Sequence, residues 1–381
     1  MPSTPTPRAL ELLAQNLTAL DLPALNLSLR KQGEEISNIT WVLQQIEFRQ
    51  RAKSKLGNLA EKLFFTRNGL EQASRWTVAH YHATRLSSLE SITDLGCGLG
   101  IDSLAFAQTG KEVVAVEQDP GTAALTELNL AGTDSAVIVG TAEEHSITTE
   151  GVWLDPARRN LQGKFDRRRM LGPSDFSPSL DFVFGLLEKY PGGAKLAPGL
   201  PHDLIPPSVE ATWVSNNREL VELSIWNLGS NRAGRRFAVL VGEDETLEIT
   251  GEVFPAPVAE IGRFLHEPDP ALIRSGLIGA FAQQSGLSAV ASDIAYLSSD
   301  ELRESPWLRS FEILEQLPID KKTLRKRLGE LGIGKLEIKK RGIDIDPAQL
   351  RKELKVKGEG AATLILTRVG DARRALVCRE R

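Results

Sequence analysis

Three acidic positions and a run of glycines carry the most visible chemistry in this sequence. The stretch ITDLGCGLGIDSLAFA puts Asp94 at the end of an apolar run, then Gly96, Gly98 and Gly100, then Asp102. Glycines at a strand–helix turn let the backbone take unusual angles and come close to a ligand. A dinucleotide site uses G-x-G-x-x-G, with a pyrophosphate at the helix N-terminus. Here the third glycine comes one position early, and Asp94 stands two residues ahead of the first. A carboxylate there would repel a pyrophosphate and suits a ligand with positive ammonium and sulfonium groups. Glu117, followed by Gln118, ends the next apolar run in EVVAVEQDP. An acid at that place can accept hydrogen bonds from both hydroxyls of a ribose. Asp155, with Pro156, closes a further apolar run in VWLDPARRN and can accept a proton or a hydrogen bond. Arg158 and Arg159 can hold a phosphate or stack on a base, or else pair with nearby acids such as Asp166 and Asp175.

These residues need a scaffold of strand ends. SITDL, EVVAVEQ, AVIVG and VWLDP are short runs rich in branched residues. DSLAFAQTG, GTAALTELNLAG and SPSLDFVFGLLEKY read as the helices between and after them. Strands alternating with helices at this spacing predict a parallel α/β sheet. After GGAKLAP the chain turns β-rich, and Asn216-Asn217 suit a hairpin between EATWVS and ELVELSIW. Ahead of the sheet, residues to about Ser88 carry apolar positions at helical spacing. Beyond Gly242, helices such as DPALIRSGLIGAFAQQS and strands such as KLEIKKRG and AATLILTRV predict a second α/β module.

The loop, the acid before it and the acid at the second strand end together resemble motifs I and II of class I S-adenosylmethionine-dependent methyltransferases. The resemblance covers roughly Trp76 to Gly242. It implies a Rossmann-like sheet that binds S-adenosylmethionine through Asp94, Gly96, Gly98, Gly100, Asp102, Glu117, Gln118 and Asp155. In that family the loop after the third strand offers an Asp to the adenine amine. GTAEE puts Thr141 or Ala142 there, so the contact would come from the Ala142 backbone N–H. Amino-methylating members read (Asp/Asn)-Pro-Pro-(aromatic) after the fourth strand. Asp155 and Pro156 match this pattern, whereas Ala157 and Arg158 depart from it. The resemblance thus implies a catalytic set of Asp155, Pro156 and Arg158, with Arg158 and Arg159 toward the substrate. FFTRNGLEQASRWTVAHYHATRL resembles the segment before the cofactor loop in trimethylguanosine-synthase-like RNA methyltransferases, which marks Phe65, Thr66 and Gln72. A capping turn at Asn68-Gly69 with core aromatics explains the same residues without a ligand.

EILEQLPIDKKTLRKRLGELGIGKLEIKKRG, IDPAQLRKELKVKG and ATLILTRV resemble the THUMP-like domain, a module associated with RNA binding. Lys339, Lys340, Arg341, Arg351, Lys352, Lys355 and Lys357 would form its positive surface. Charge supports this. Residues from Pro318 on hold 18 Lys and Arg against 9 Asp and Glu, a surplus of +9 that leaves −13 for the remainder. Such asymmetry suggests that one end handles a polyanion. A solvated helical face is the plainer reading. Lys and Arg at this density read backbone phosphate and not sequence. Aromatic residues are absent from Pro318 onward, so base stacking would have to come from elsewhere.

Composition removes other classes. No apolar run approaches the ~18–20 residues of a membrane span, and no secretory signal is visible at the start, so a cytoplasmic protein without a membrane partner is expected. Two cysteines, Cys97 and Cys378, exclude a disulfide framework, and neither stands in a nucleophile motif. Five histidines form no ligand pattern beyond His80-x-His82, whose rings would diverge on a helix, so no metal is expected. The expected layout is α/β. It has an N-terminal helical region over 1–75, a methyltransferase domain over 76–242, and a C-terminal domain over 243–381 with the THUMP-like module from about 310. The expected activity is methylation of a base nitrogen of RNA. Two alternatives stand beside it: a methyltransferase for a small molecule or protein, and a non-catalytic cofactor- and RNA-binding protein. The sequence does not set the oligomeric state.

Overall fold

Branched apolar residues at the middle of short runs build the central sheet, because they pack well on a pleated surface covered on both sides. The computed structural model describes residues 4–16, 21–158, 176–229 and 231–381. Its strands are β1 (Ser91–Leu95), β2 (Glu112–Glu117), β3 (Ser135–Val139), β4 (Gly151–Leu154), the two-residue pair β5 (Ala157–Arg158) and β6 (Phe176–Ser177), β7 (Gly192–Leu196), β8 (Glu210–Asn216), β9 (Glu219–Asn227), β10 (Arg236–Val241) and β11 (Thr246–Thr250). Nine of them form one sheet in the order β11-β10-β8-β9-β7-β4-β1-β2-β3. β1 pairs parallel with β2 and β4, β2 with β3, and β4 with β7. β9 runs antiparallel to β7. The chain leaves β1 toward β2 and β3, then returns to the other side of β1 as β4. That reversal opens a crevice at the carboxyl ends of β1 and β4, where ligands of open α/β sheets bind.

Among the described residues five α-helices precede the sheet: α1 (Pro7–Gln15), α2 (Leu22–Lys31), α3 (Ile36–Leu56), α4 (Arg67–Gln72) and α5 (Trp76–Arg85). Buried polar groups of α3 hold the segment that follows it. Gln45 donates to Phe65 O at 2.8 Å and accepts from Phe65 N at 2.9 Å, and Arg49 donates to Leu63 O at 2.9 Å. Lys55 donates to the carbonyls of Leu70, Glu71 and Ala73, which α4 leaves unpaired at its C-terminal end. Between the strands lie α6 (Ile101–Gln108), α7 (Pro120–Asn129) and α8 (Leu180–Leu187).

The hairpin between β8 and β9 turns one residue later than the sequence suggested. Asn217 and Arg218 take φ of 52° and 62°, the paired positive angles of a type I′ turn. Another expectation changes in DPALIRSGLIGAFAQQS. Gly276, at φ 80°, splits it into α9 (Pro270–Ser275) and α10 (Ile278–Ser285). A left-handed glycine ends a helix cheaply.

The second sheet holds β12 (Phe264–Pro268), β13 (Ser288–Ala291), β14 (Ile294–Ser299), β15 (Leu308–Pro318), β16 (Ile333–Lys340), β17 (Gly360–Val369) and β18 (Ala372–Glu380). Their order is β13-β14-β12-β15-β18-β17-β16, with β16 and β17 parallel. Helices α11 (Lys321–Glu330) and α12 (Pro347–Leu354) flank β16 in sequence. Leu324, Leu328, Leu350 and Leu354 pack with Leu336, Ile338, Leu364 and Val377 in one core. Phe311, Ile365, Leu376 and Tyr296 fill a second core with β14. Alternation along each strand sends neighbouring residues to opposite faces, which is how one sheet serves both cores.

The chain forms two compact units, one of Met1–Ala211, Glu222–Gly234 and Val241–Thr246, the other of Thr212–Val221, Arg235–Leu240 and Leu247–Arg381. No helix among the described residues is long and apolar enough to cross a membrane.

Candidate active site

The glycine loop turns because each of its three glycines takes a positive φ: 81° at Gly96, 55° at Gly98 and 73° at Gly100. A Cβ at Gly96 would stand 3.2 Å from Asp155 O, and one at Gly100 would stand 2.7 Å from Thr126 Cγ2. Nothing lies within 4 Å of where a Cβ on Gly98 would be, so that side of the loop faces open space. Gly96 N and Cys97 N donate to Val116 O at 2.9 and 3.1 Å, tying the loop to the end of β2.

Asp94 is 1% exposed. Ser103 Oγ donates to its Oδ2 at 2.5 Å, while Oδ1 is buried with no hydrogen-bond partner among the described residues. Burial, with Asp102 close by, pushes the Asp94 pKa up to about 8. A buried carboxylate oxygen without a donor is costly unless something else supplies one. At the end of β2, Glu117 accepts from Gly98 N at 3.1 Å and from Asp119 N at 2.8 Å. These bonds fix the carboxylate at the rim of the crevice, half-buried, with lone pairs to spare.

Asp155, just past β4, meets a partner that the sequence reading missed. Lys195 Nζ, from β7, lies 2.5 Å from Asp155 Oδ2. It also donates to Ser74 Oγ at 3.2 Å and Gln72 O at 3.4 Å. Burial opposes the charge of Lys195, but Asp155, Asp102 and Glu222 outweigh it and hold its pKa above the usual lysine range. Burial raises the pKa of Asp155, with Lys195 pulling the other way. Asp155 Oδ1 has no partner among the described residues.

Behind this pair lies a second network. Asp102 accepts from Ser74 Oγ at 2.7 Å and sits 2.7 Å from His82 Nδ1. Ser224 Oγ donates to Glu222 Oε1 at 2.5 Å, and the same oxygen faces His82 Nε2. Asp102, expected to face the ligand, is instead engaged inward in the first turn of α6. His82 is fully buried on α5, and its ring is held between carboxylates.

The other expected residues distribute as follows. Thr66 caps α4, its Oγ1 accepting from Gly69 N at 3.0 Å. A Cβ at Gly69 would reach within 2.7 Å of Leu99 Cγ, so α4 packs on the glycine loop. Gln72 is exposed and contributes its backbone carbonyl to Lys195. Gln118 is exposed. Thr141 Oγ1 donates to Glu144 at 2.9 Å, and Ala142 is buried. In the same loop His145 Nε2 is buried and has no hydrogen-bond partner among the described residues. Pro156 is buried, and Arg158 lies in β5. Arg159 lies outside the described residues. Of the basic residues, Lys339 and Arg341 stand 2.6 and 3.6 Å from Glu267, so their charges are committed within the second unit. Lys340, Lys355 and Lys357 are exposed.

Lys195 could have been suspected as a lone cation inside the apolar run GGAKLAP. Nothing local marks Glu222 or Ser74.

A Mycobacterium tuberculosis protein, an uncharacterized S-adenosylmethionine-dependent methyltransferase in strains CDC 1551 / Oshkosh and ATCC 25618 / H37Rv, is 31% identical over 350 residues, 87% of this chain and 93% of its own. This chain belongs to the S-adenosylmethionine-dependent methyltransferases. Residues 308–380 of this methyltransferase match the THUMP domain-like family. The fold is shared with the crystal structure of a candidate methyltransferase from Porphyromonas gingivalis W83, at a TM-score of 0.81, 22% identity and 99% coverage of both chains. The crevice of the methyltransferase fits its cofactor. Asp94 Oδ1 is a buried atom without a partner among the described residues, Glu117 is a fixed acceptor, and Gly98 leaves the loop open.

Proposed function

We propose that this methyltransferase methylates a base nitrogen of RNA. The RNA part rests on one observation: the THUMP-like match at 308–380 overlaps the segment 318–381, which carries the +9 surplus. The nitrogen part rests on Asp155. Its Oδ2 is fixed by Lys195 beside the glycine loop, which leaves Oδ1 to accept a hydrogen bond from an acceptor N–H.

In this reading Asp94 and Glu117 hold the amine and ribose ends of S-adenosylmethionine, and the Ala142 backbone N–H meets the adenine. The cofactor supplies a methyl group already activated by a cationic sulfonium. The residues of the chain therefore act mainly by position. Asp155 orients the acceptor and receives or relays its proton, and Pro156 restricts the backbone beside it. Lys195 keeps Asp155 pointed into the crevice. Arg158 and Arg159 serve the phosphates that flank the target.

Incubating the protein with labelled S-adenosylmethionine and bulk RNA from a strain lacking the gene tests this reading. Label in a nucleoside, identified by mass spectrometry and absent with Asp155→Ala, is the expected result. Label found only in protein or small molecules overturns the RNA assignment.

A further inference from the structure

We propose that a cleft in the THUMP-like module, at the amino-terminal ends of β16 and β17, binds the phosphate backbone of RNA through Lys335, Arg351 and Arg379. The proposal rests on the RNA reading above and says where the polyanion would lie. The cleft has a volume of about 510 Å³. Ala361, Ala362 and Thr363 line it, and these short side chains leave room beside the strand backbone.

Backbone packing fixes the cleft. A Cβ on Gly334 would come 1.9 Å from Gly358 O, and one on Gly358 would come 2.1 Å from Gly332 O. Only glycines let the 358–360 turn close on 332–334 at that distance. The closure sets Lys335 opposite Ala361 in the β16–β17 ladder.

Shape and unpaired charge coincide in this cleft, whereas other cations without an ion pair among the described residues, such as Lys322, Lys340 and Arg373, lie outside its lining. Some cations of the module are committed. Arg327 pairs with Glu315 and Glu330, Arg368 with Asp293, Arg381 with Glu312, and Lys321 with Glu353. Lys335, Arg351 and Arg379 have no ion pair or side-chain hydrogen bond among the described residues. Two carboxylates, Glu337 and Glu380, also line the cleft, but both face Arg309. Its Nε lies 2.5 Å from Glu380 Oε1, and its Nη2 lies 3.5 Å from Glu337 Oε2. Arg309 offsets one of the two negative charges, so together with Lys335, Arg351 and Arg379 the cleft keeps a surplus of +2. An open cleft with three such groups and no aromatic ring suits a chain of phosphates read without regard to sequence. Lysines on the edge strand β16 also discourage another strand from pairing there.

Anisotropy of labelled single-stranded RNAs of unrelated sequence, titrated with the full chain across a potassium chloride series, tests the cleft. The triple variant Lys335→Ala, Arg351→Ala, Arg379→Ala should lower the log–log salt slope by about 2, at ~0.7 per phosphate, and weaken every RNA on the order of tenfold or more at low salt. A charge-matched variant outside the cleft, Lys322→Ala, Arg373→Ala, Arg374→Ala, should change the slope much less. Melting temperature and S-adenosylhomocysteine binding of both variants should match the parent. If the parent binds with a steep salt slope and the cleft variant behaves like it, the cleft is wrong while the RNA reading stands. Equal loss in the control variant overturns the cleft in favour of a diffuse field. A parent that shows no salt-sensitive RNA binding overturns both. Millimolar inorganic phosphate at fixed ionic strength should leave the RNA bound. Displacement would assign the cleft to free phosphate.

Discussion

His82 Nε2 lies 2.7 Å from Glu222 Oε1, a carboxylate 140 positions further along the chain. Its Nδ1 lies 2.7 Å from Asp102. A neutral imidazole donates from one nitrogen only, so a ring with a carboxylate at each nitrogen is satisfied as the cation. Burial works against that charge, but Glu222 and Asp102 outweigh it and push the pKa up to about 9.

The pH dependence follows with a definite sign. A histidine whose folded pKa is raised contributes stability that is full below 6.5 and fades as the pH rises through about 9. His82→Gln should cost roughly 3–5 kcal/mol at the low end, because it leaves buried carboxylates uncompensated. Melting both proteins across this range should show the gap closing toward high pH. A gap that stays constant would remove the cationic assignment.

Asp94 makes the opposite kind of statement about its ligand. Its raised pKa means the free protein holds a proton there between the ordinary 3.8 and about 8. That proton contributes stability fully below 3.8, lost as the pH rises through about 8. A cationic ligand favours the ionised form, so cofactor binding should release a proton and tighten as pH rises toward 8. Calorimetry near neutrality in buffers of different ionisation heat would read the release, and Asp94→Asn should abolish it. Affinity that ignores pH would count against Asp94 as the contact.

Glu117 is tested by affinity. Glu117→Ala should weaken S-adenosylhomocysteine by roughly 1.5–3 kcal/mol, the cost of losing hydrogen bonds to a charged acceptor. Glu117→Gln, which keeps one acceptor oxygen, should fall between. Titration calorimetry gives both values, and unchanged binding in the alanine variant would sink the ribose contact.

Asp155 and Lys195 should separate binding from turnover. Asp155→Ala is expected to lose roughly 10²–10⁴-fold in kcat with little change in cofactor affinity. Lys195→Met should follow it in kcat, since Asp155 loses the group that orients it. Activity that survives Asp155→Ala would mean that the acceptor is gripped elsewhere.

Residues close together in sequence were legible, and residues brought from afar were not. Asp94, the three glycines and Glu117 sit on strand ends and one turn, where spacing alone reveals the geometry. Lys195 reaches Asp155 from another strand, and Glu222 reaches His82 from further still. No local pattern encodes such meetings. Asp102 shows the limit within a motif. The sequence fixes its place in the first turn of α6 but not which way the turn faces. The basic tail shows it again, since Glu267, 72 positions away, removes Lys339 from the free surface.

The path of the chain between 211 and 247 has a consequence for taking the molecule apart. It passes from one unit to the other five times. No single peptide-bond cleavage can therefore release the two units whole. A cut after Thr246 strips 212–221 and 235–240 from the second unit and leaves them attached to the first. The stretch 308–380 is different: it is continuous and carries its own core around Leu324, Leu350 and Leu364. Gene fusion could deliver that piece as a block, whereas the two units as wholes cannot have been joined end to end like beads on a string.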